Sequence, residues 1–268
     1  MFGSVFQKLL VKNERTVGFF SLEMASRQLM QRLLSKVSGI QHKKILEGTL
    51  SARERVKIDE TLTKLEKVPL YIDETPNINI NDLVLKARKL KRENDNLCAI
   101  FVDYIGLITT SGDAENRQLE LSRISAQLKA LARELKITVI AFSQLSRQVE
   151  ARSDKKPMMS DLRESGSLEQ DADQVFLMYR EDYYIGQGTI KPTNAAYQAY
   201  YETLRASGDD NNISPVDIML AKNRSGETAN ITLLFFKSIS SFDNPDTGVL
   251  ESLKAMQRAH ASRGKSSE

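Results

Sequence analysis

Cys98-Ala99-Ile100-Phe101-Val102 is a run of five apolar residues, and Asp103 closes it with a carboxylate. A strand that is apolar on both alternating faces needs cover on both, the usual state of parallel strands in α/β proteins. Outward from this run, Thr16–Leu22, Val68–Ile72, Thr138–Phe142 and Gln174–Tyr179 read the same way. Helical patterns lie between them. Leu121, Ile124, Leu128, Leu131 and Leu135 recur at three- and four-residue steps, with Arg123, Lys129, Arg133, Glu134 and Lys136 off that stripe. A second helix is expected from Ala25 to Ser38, and a third from Asn81 to Arg92 with Asn79 or Asn81 as its cap. Ser51 opens a fourth, with Glu54 three residues on to complete a capping box. The expected class is α/β, a mostly parallel sheet with helices on both faces.

The C-terminal third has another character. Val216–Ala221 and Thr228–Phe236 are apolar strands around the polar hairpin loop Lys222–Glu227. Residues 183–213 carry Gly, Pro, Asn and Tyr and read as a surface insertion; residues 246–268 read as a partly disordered tail. The whole chain has 268 residues, 41% hydrophobic and 27% charged, enough for a substantial core. One cysteine, Cys98, cannot form an internal disulfide, and with two histidines it cannot build a Cys/His zinc site. The longest apolar runs are far too short to cross a membrane, and the N-terminus is too polar for a signal peptide. A reducing, cytoplasmic setting is expected. A net charge of +3 decides nothing about a polyanionic partner.

Three strands run into a polar residue suited to phosphate chemistry: Glu23, Asp103 and Gln144. Ligands of open parallel sheets bind beyond the carboxyl ends of the strands. On adjacent strands, these three would put a general base, a magnesium-binding carboxylate and an amide into one crevice. Each alone is also what an ordinary strand end shows. Lys156–Asp173, KPMMSDLRESGSLEQDAD, is almost free of large apolar residues yet lies between two apolar strands. Such a segment is a functional loop or, since Ser160–Glu164 resembles a helix start, a capped surface helix. Lys222 and Arg224, taken by themselves, belong to a solvated hairpin turn.

Several segments together resemble DnaB-type replicative helicases. They are Phe20-Ser21-Leu22-Glu23-Met24, Val102-Asp103-Tyr104, Ser143-Gln144-Leu145, Ser160 to Gly166 with Glu169 to Asp173, and Lys222-Asn223-Arg224, in that order. The resemblance spans about Arg15 to Asn244 and implies the RecA-like motor domain of a hexameric, ATP-driven helicase that travels on single-stranded DNA. It implies that Glu23 activates water, that Asp103 holds Mg²⁺ through water, and that Gln144 senses the γ-phosphate. Arg163, Glu164 and Gly166 would lie on the loop that grips DNA, largely through main-chain N–H groups. Lys222 and Arg224 would reach the nucleotide of the adjacent subunit. Primase and a helicase loader are the partners implied.

The chain departs from the family in one respect. A glycine-rich GxxxxGK[ST] loop and the strand feeding it precede the Phe20–Met24 motif in the family, whereas here MFGSVFQKLLVKNER stands before Thr16. Residues 1–15 resemble the end of the helix that follows that loop, which leaves 16–245 as the motor core. Gly264-Lys265-Ser266 has Ala259 where the first glycine belongs and no strand before it. The expectation is a truncated motor without its P-loop strand. The alternative is an inactive fragment or interaction subunit that keeps DNA or ring contacts without ATP turnover.

Overall fold

The computed structural model describes residues 15–110, 117–187 and 212–244, the side chains of 163–165 excepted. The expected helix remnant at 1–15, most of the expected insertion at 183–213 and the tail at 246–268 lie outside the described residues.

Two internal strands organise the molecule. β1 (Thr16–Ser21) is buried along its whole length, and β3 (Leu97–Asp103) nearly so. With β2 (Leu70–Asp73) and β4 (Thr138–Ala141) they form a parallel sheet in the order β2-β1-β3-β4. Register between β1 and β3 pairs Val17 with Ala99, Phe19 with Phe101 and Ser21 with Asp103. The two-residue period of a strand then divides the core. Val17, Phe19, Ala99 and Phe101 meet Leu33 and Leu34 of α1 (Ser26–Ser38) and Ile58 and Leu65 of α3 (Ala52–Leu65). The Phe19 and Phe101 rings stack at 6.2 Å between centroids. Phe20, Ile100 and Val102 face the other way, onto Leu83 and Ala87 of α4 (Ile80–Glu93) and Ile124 and Leu131 of α5 (Arg117–Leu135). Each fully buried side chain of this size contributes about 1.5–3 kcal/mol relative to exposure. Helices thus cover both faces.

Local chemistry sets the helix ends. Gly39 closes α1 at φ 69°, a conformation a side chain disfavours. Gly48 does the same at φ 68° after the short α2 (His42–Glu47). The Ser51 hydroxyl accepts from Glu54 N–H while the Glu54 carboxylate accepts from Ser51 N–H, so the capping box is present at α3. At α4 the cap is Asn79, whose side chain accepts from Asn81 N–H.

Two expectations about strands are corrected. Gln174–Tyr179 forms β5, but it lies in a second sheet, antiparallel, of order β5-β6-β7-β8. Its partners are β6 (Ile213–Asn223), β7 (Ala229–Phe236) and β8 (Ser241–Asp243). Its continuous apolar run conceals an alternation: Leu177 and Tyr179 are buried, while Phe176 and Met178 are 43% and 40% exposed. Thr138–Phe142, expected like the others to be covered on both faces, forms β4, which is an edge strand among the described residues with Thr138 and Ala141 exposed. The C-terminal hairpin of β6 and β7 is present, with its strand running on through Lys222 to Asn223.

Candidate functional site

The carboxyl ends of β1, β3 and β4 are laced together by main-chain hydrogen bonds. Leu22 N–H donates to Asp103 O (2.8 Å), Phe142 N–H to Val102 O (3.0 Å) and Ile105 N–H to Phe142 O (2.9 Å). Ser21 Oγ donates to Met24 O at 2.5 Å and folds the turn that carries Glu23. The result is a cleft of about 230 Å³ lined by Glu23, Asp103, Tyr104, Phe142, Ser143 and Gln144. The peptide bond between Asp103 and Tyr104 is cis.

Burial pushes the Asp103 carboxyl above its ordinary value, and the nearby Glu23 carboxylate pushes it further, against a smaller opposite pull from Arg32. A cation beside Asp103 would relieve both. Hard carboxylate oxygens suit Mg²⁺, which is commonly held by one or two carboxylates plus water and substrate phosphates. Among the described residues no group of three or more His, Cys, Asp or Glu side chains is gathered that could hold a metal alone. The donor set therefore fits magnesium as a partner of a phosphate ligand. Among the described residues, no lysine or glycine lines the cleft to cradle the phosphates.

Lys156–Asp173 folds into short helices, as its helix-start alternative has it. A 3₁₀ segment spans Met159–Ser165 and leads directly into α6 (Gly166–Asp171). Asp161, only 5% exposed, organises the entry. Its carboxylate accepts both Arg152 Nη groups at 2.8 Å and Met158 N–H at 2.7 Å. Burial works to raise this carboxyl, but the Arg152 and Met158 hydrogen bonds outweigh it and hold it below the usual carboxylate range. Asp161 O also accepts Ser146 N–H (2.9 Å), which ties the segment to the chain just after Gln144. Arg163 and Glu164 lie on the 3₁₀ segment, with side chains outside the described residues; Gly166 is exposed, and a Cβ there would meet nothing within 4 Å.

Lys222 and Arg224 do not line the cleft. They lie against the end of α6, with Arg224 N–H bonded to Asp173 O at 2.8 Å. Sequence reasoning missed Arg152 and Arg32, since an arginine's partner nine residues off or on another element leaves no periodic signal. It also missed Glu74, whose carboxylate accepts Ser26 N–H (2.6 Å) at the start of α1.

The family model described as DnaB-like helicase C-terminal domain matches residues 1–244. The chain is 42% identical over 246 residues to the replicative DNA helicase DnaB of Rickettsia bellii, covering 89% of this chain and 49% of that protein. It is 41% identical over 242 residues to the replicative DNA helicase DnaB of Geobacillus stearothermophilus, covering 90% of this chain and 48% of that one. A solved DnaB-like replicative helicase, described with its interactions with primase, superposes with a TM-score of 0.75 at 33% identity, covering 88% of this chain and 52% of its own. The chain spans about half the length of the curated relatives it matches.

Proposed function

This chain belongs to the family of DnaB-like helicase C-terminal domains, and from that premise we propose that it serves as the ATP-driven motor of a hexameric replicative helicase moving on single-stranded DNA. One observation carries the reading: Glu23, Asp103 and Gln144 meet in one cleft at the carboxyl ends of three parallel strands. Glu23, exposed at the mouth, accepts the proton of an attacking water. Asp103 is the carboxylate that would hold Mg²⁺, and the ion would neutralise charge on the phosphates. Bound Mg²⁺-ATP supplies the phosphoryl group to be transferred. Gln144 reads the terminal phosphate, and its strand end is hydrogen-bonded through Ser146 and Asp161 to the segment that carries Arg163, Glu164 and Gly166. That segment grips the DNA backbone. Lys222 and Arg224 act on the nucleotide of the next subunit, which makes the ring the functional unit. Primase is the partner supported by the solved relative's description, a helicase loader is a second, and the cytoplasm is the setting. No helix among the described residues is long and apolar enough to cross a membrane.

The test joins a strand bearing a GxxxxGK[ST] loop ahead of Met1 and measures phosphate release with single-stranded DNA in rings. Hydrolysis should appear, and Glu23→Gln should reduce it at least a hundredfold, within the range for removing a general base. Assembled rings that bind nucleotide but hydrolyse equally well with Glu23→Gln would overturn the role of the cleft.

The sequence favours a second reading for this polypeptide by itself. Its 268 residues contain no GxxxxGK[ST] motif, and phosphoryl transfer depends on positioned phosphates. Alone, the chain is expected to keep DNA or ring contacts with little or no turnover. Phosphate release near one per second from the unmodified chain, lost in Glu23→Gln, would reject that.

A further inference from the structure

The hairpin cations already have work within their own chain. Lys222 Nζ donates to the main-chain carbonyls of Glu169 (2.5 Å) and Gln170 (3.1 Å). Arg224 Nη2 donates to Gln170 O (3.4 Å), and Arg224 Nη1 pairs with the Asp173 carboxylate (3.3 Å). These carbonyls belong to the last turn of α6, where helix geometry leaves oxygens without an intrahelical donor. A cation there also meets the negative end of the helix dipole. At six residues, α6 is too short to hold itself together and depends on such outside contacts. Its other end is Gly166.

We infer that Lys222 and Arg224 are two-position residues: they cap α6 within their own subunit or they reach the phosphates of the adjacent subunit's nucleotide, and one position empties the other. The N–H hydrogens given to Glu169 and Gln170 are the ones an incoming phosphate would take. Nucleotide arriving at one interface therefore uncaps α6 in the subunit that supplies the cations and loosens the segment ending at Gly166. This rests on the proposed motor function, and it adds a positioning role that acts on the DNA-gripping segment through α6.

Hydrogen exchange on the unmodified chain tests it. In Lys222→Met/Arg224→Met the amides of residues 169–172 should exchange roughly 3- to 30-fold faster, the loss expected for two terminal cations. The amides of the β6–β7 ladder should not change, which excludes general unfolding. Lys222→Arg and Arg224→Lys, which keep the charges, should restore most of the protection. Tripolyphosphate, compared with chloride at matched ionic strength, should speed the same amides in the unmodified chain and add nothing in the double variant. Unchanged exchange in the double variant, or slower exchange with tripolyphosphate, would overturn the inference. Fluorescence anisotropy with a single-stranded oligonucleotide tests the motor reading separately: absent binding with exchange as expected leaves the cap intact and removes its DNA role.

Discussion

At the scale of single residues, Asp103 is held in a state that costs stability. Its folded pKa lies above the ordinary carboxylate value because of burial and then Glu23. Between those two values the folded protein binds more protons than the unfolded chain, so stability falls as pH rises through that window and returns as pH drops. Asp103→Asn removes the charge and keeps the shape; its Tm at neutral pH should rise by about 2–4 °C. A Tm that falls, by differential scanning calorimetry, would mean the carboxylate is already well compensated. Glu54 has the opposite sign. Its carboxyl is pulled down to about 2 by Lys44 and by the hydroxyl and N–H of Ser51, so its contribution is present above the unfolded value and fades as pH falls. The polar character of Glu23, Asp103 and Gln144 at strand ends was legible in the sequence because strand termination is local. The influence of Arg32 on Asp103 was not, since it crosses from a helix to another strand.

Among the elements, the helix starts test the local chemistry most directly. Ser51→Ala removes one half of the capping box of α3 and should cost about 1 kcal/mol in urea unfolding, with an unchanged m-value. Asp161→Asn is expected to cost more. It strips the charge from a nearly buried acceptor and leaves the Arg152 guanidinium with weaker partners. Near-neutrality of Asp161→Asn in the same measurement would show the pair to be dispensable. β1 and β3 could be read from sequence because both of their faces are apolar and both are covered. β5 was legible as a strand but not as a member of the antiparallel sheet, because Phe176 and Met178 are apolar although exposed. The 3₁₀ segment and α6 span too few turns for any periodicity, and α6 is held by cations more than fifty residues away.

For the whole molecule, four strand edges stand open among the described residues, those of β2, β4, β5 and β8. β4 pairs only with β3, and β5 pairs only with β6. Unpaired edges flanked by exposed apolar side chains are templates for association. Sedimentation velocity of the unmodified chain should show concentration-dependent association, and Phe176→Lys/Met178→Lys should shift it toward monomer; unchanged association in that variant would place the contact elsewhere. The laced strand ends carry a different consequence, one of timing. β1 and β3 are paired residue by residue although about eighty positions separate them along the chain. Closing so long a loop is a slow, late event. Glu23 and Asp103 cannot become neighbours before it, and Gln144 joins them only after β4 has emerged and docked. The cleft is therefore assembled in two steps, Glu23 with Asp103 first and Gln144 last, and it is complete only once the chain through β4 has been made.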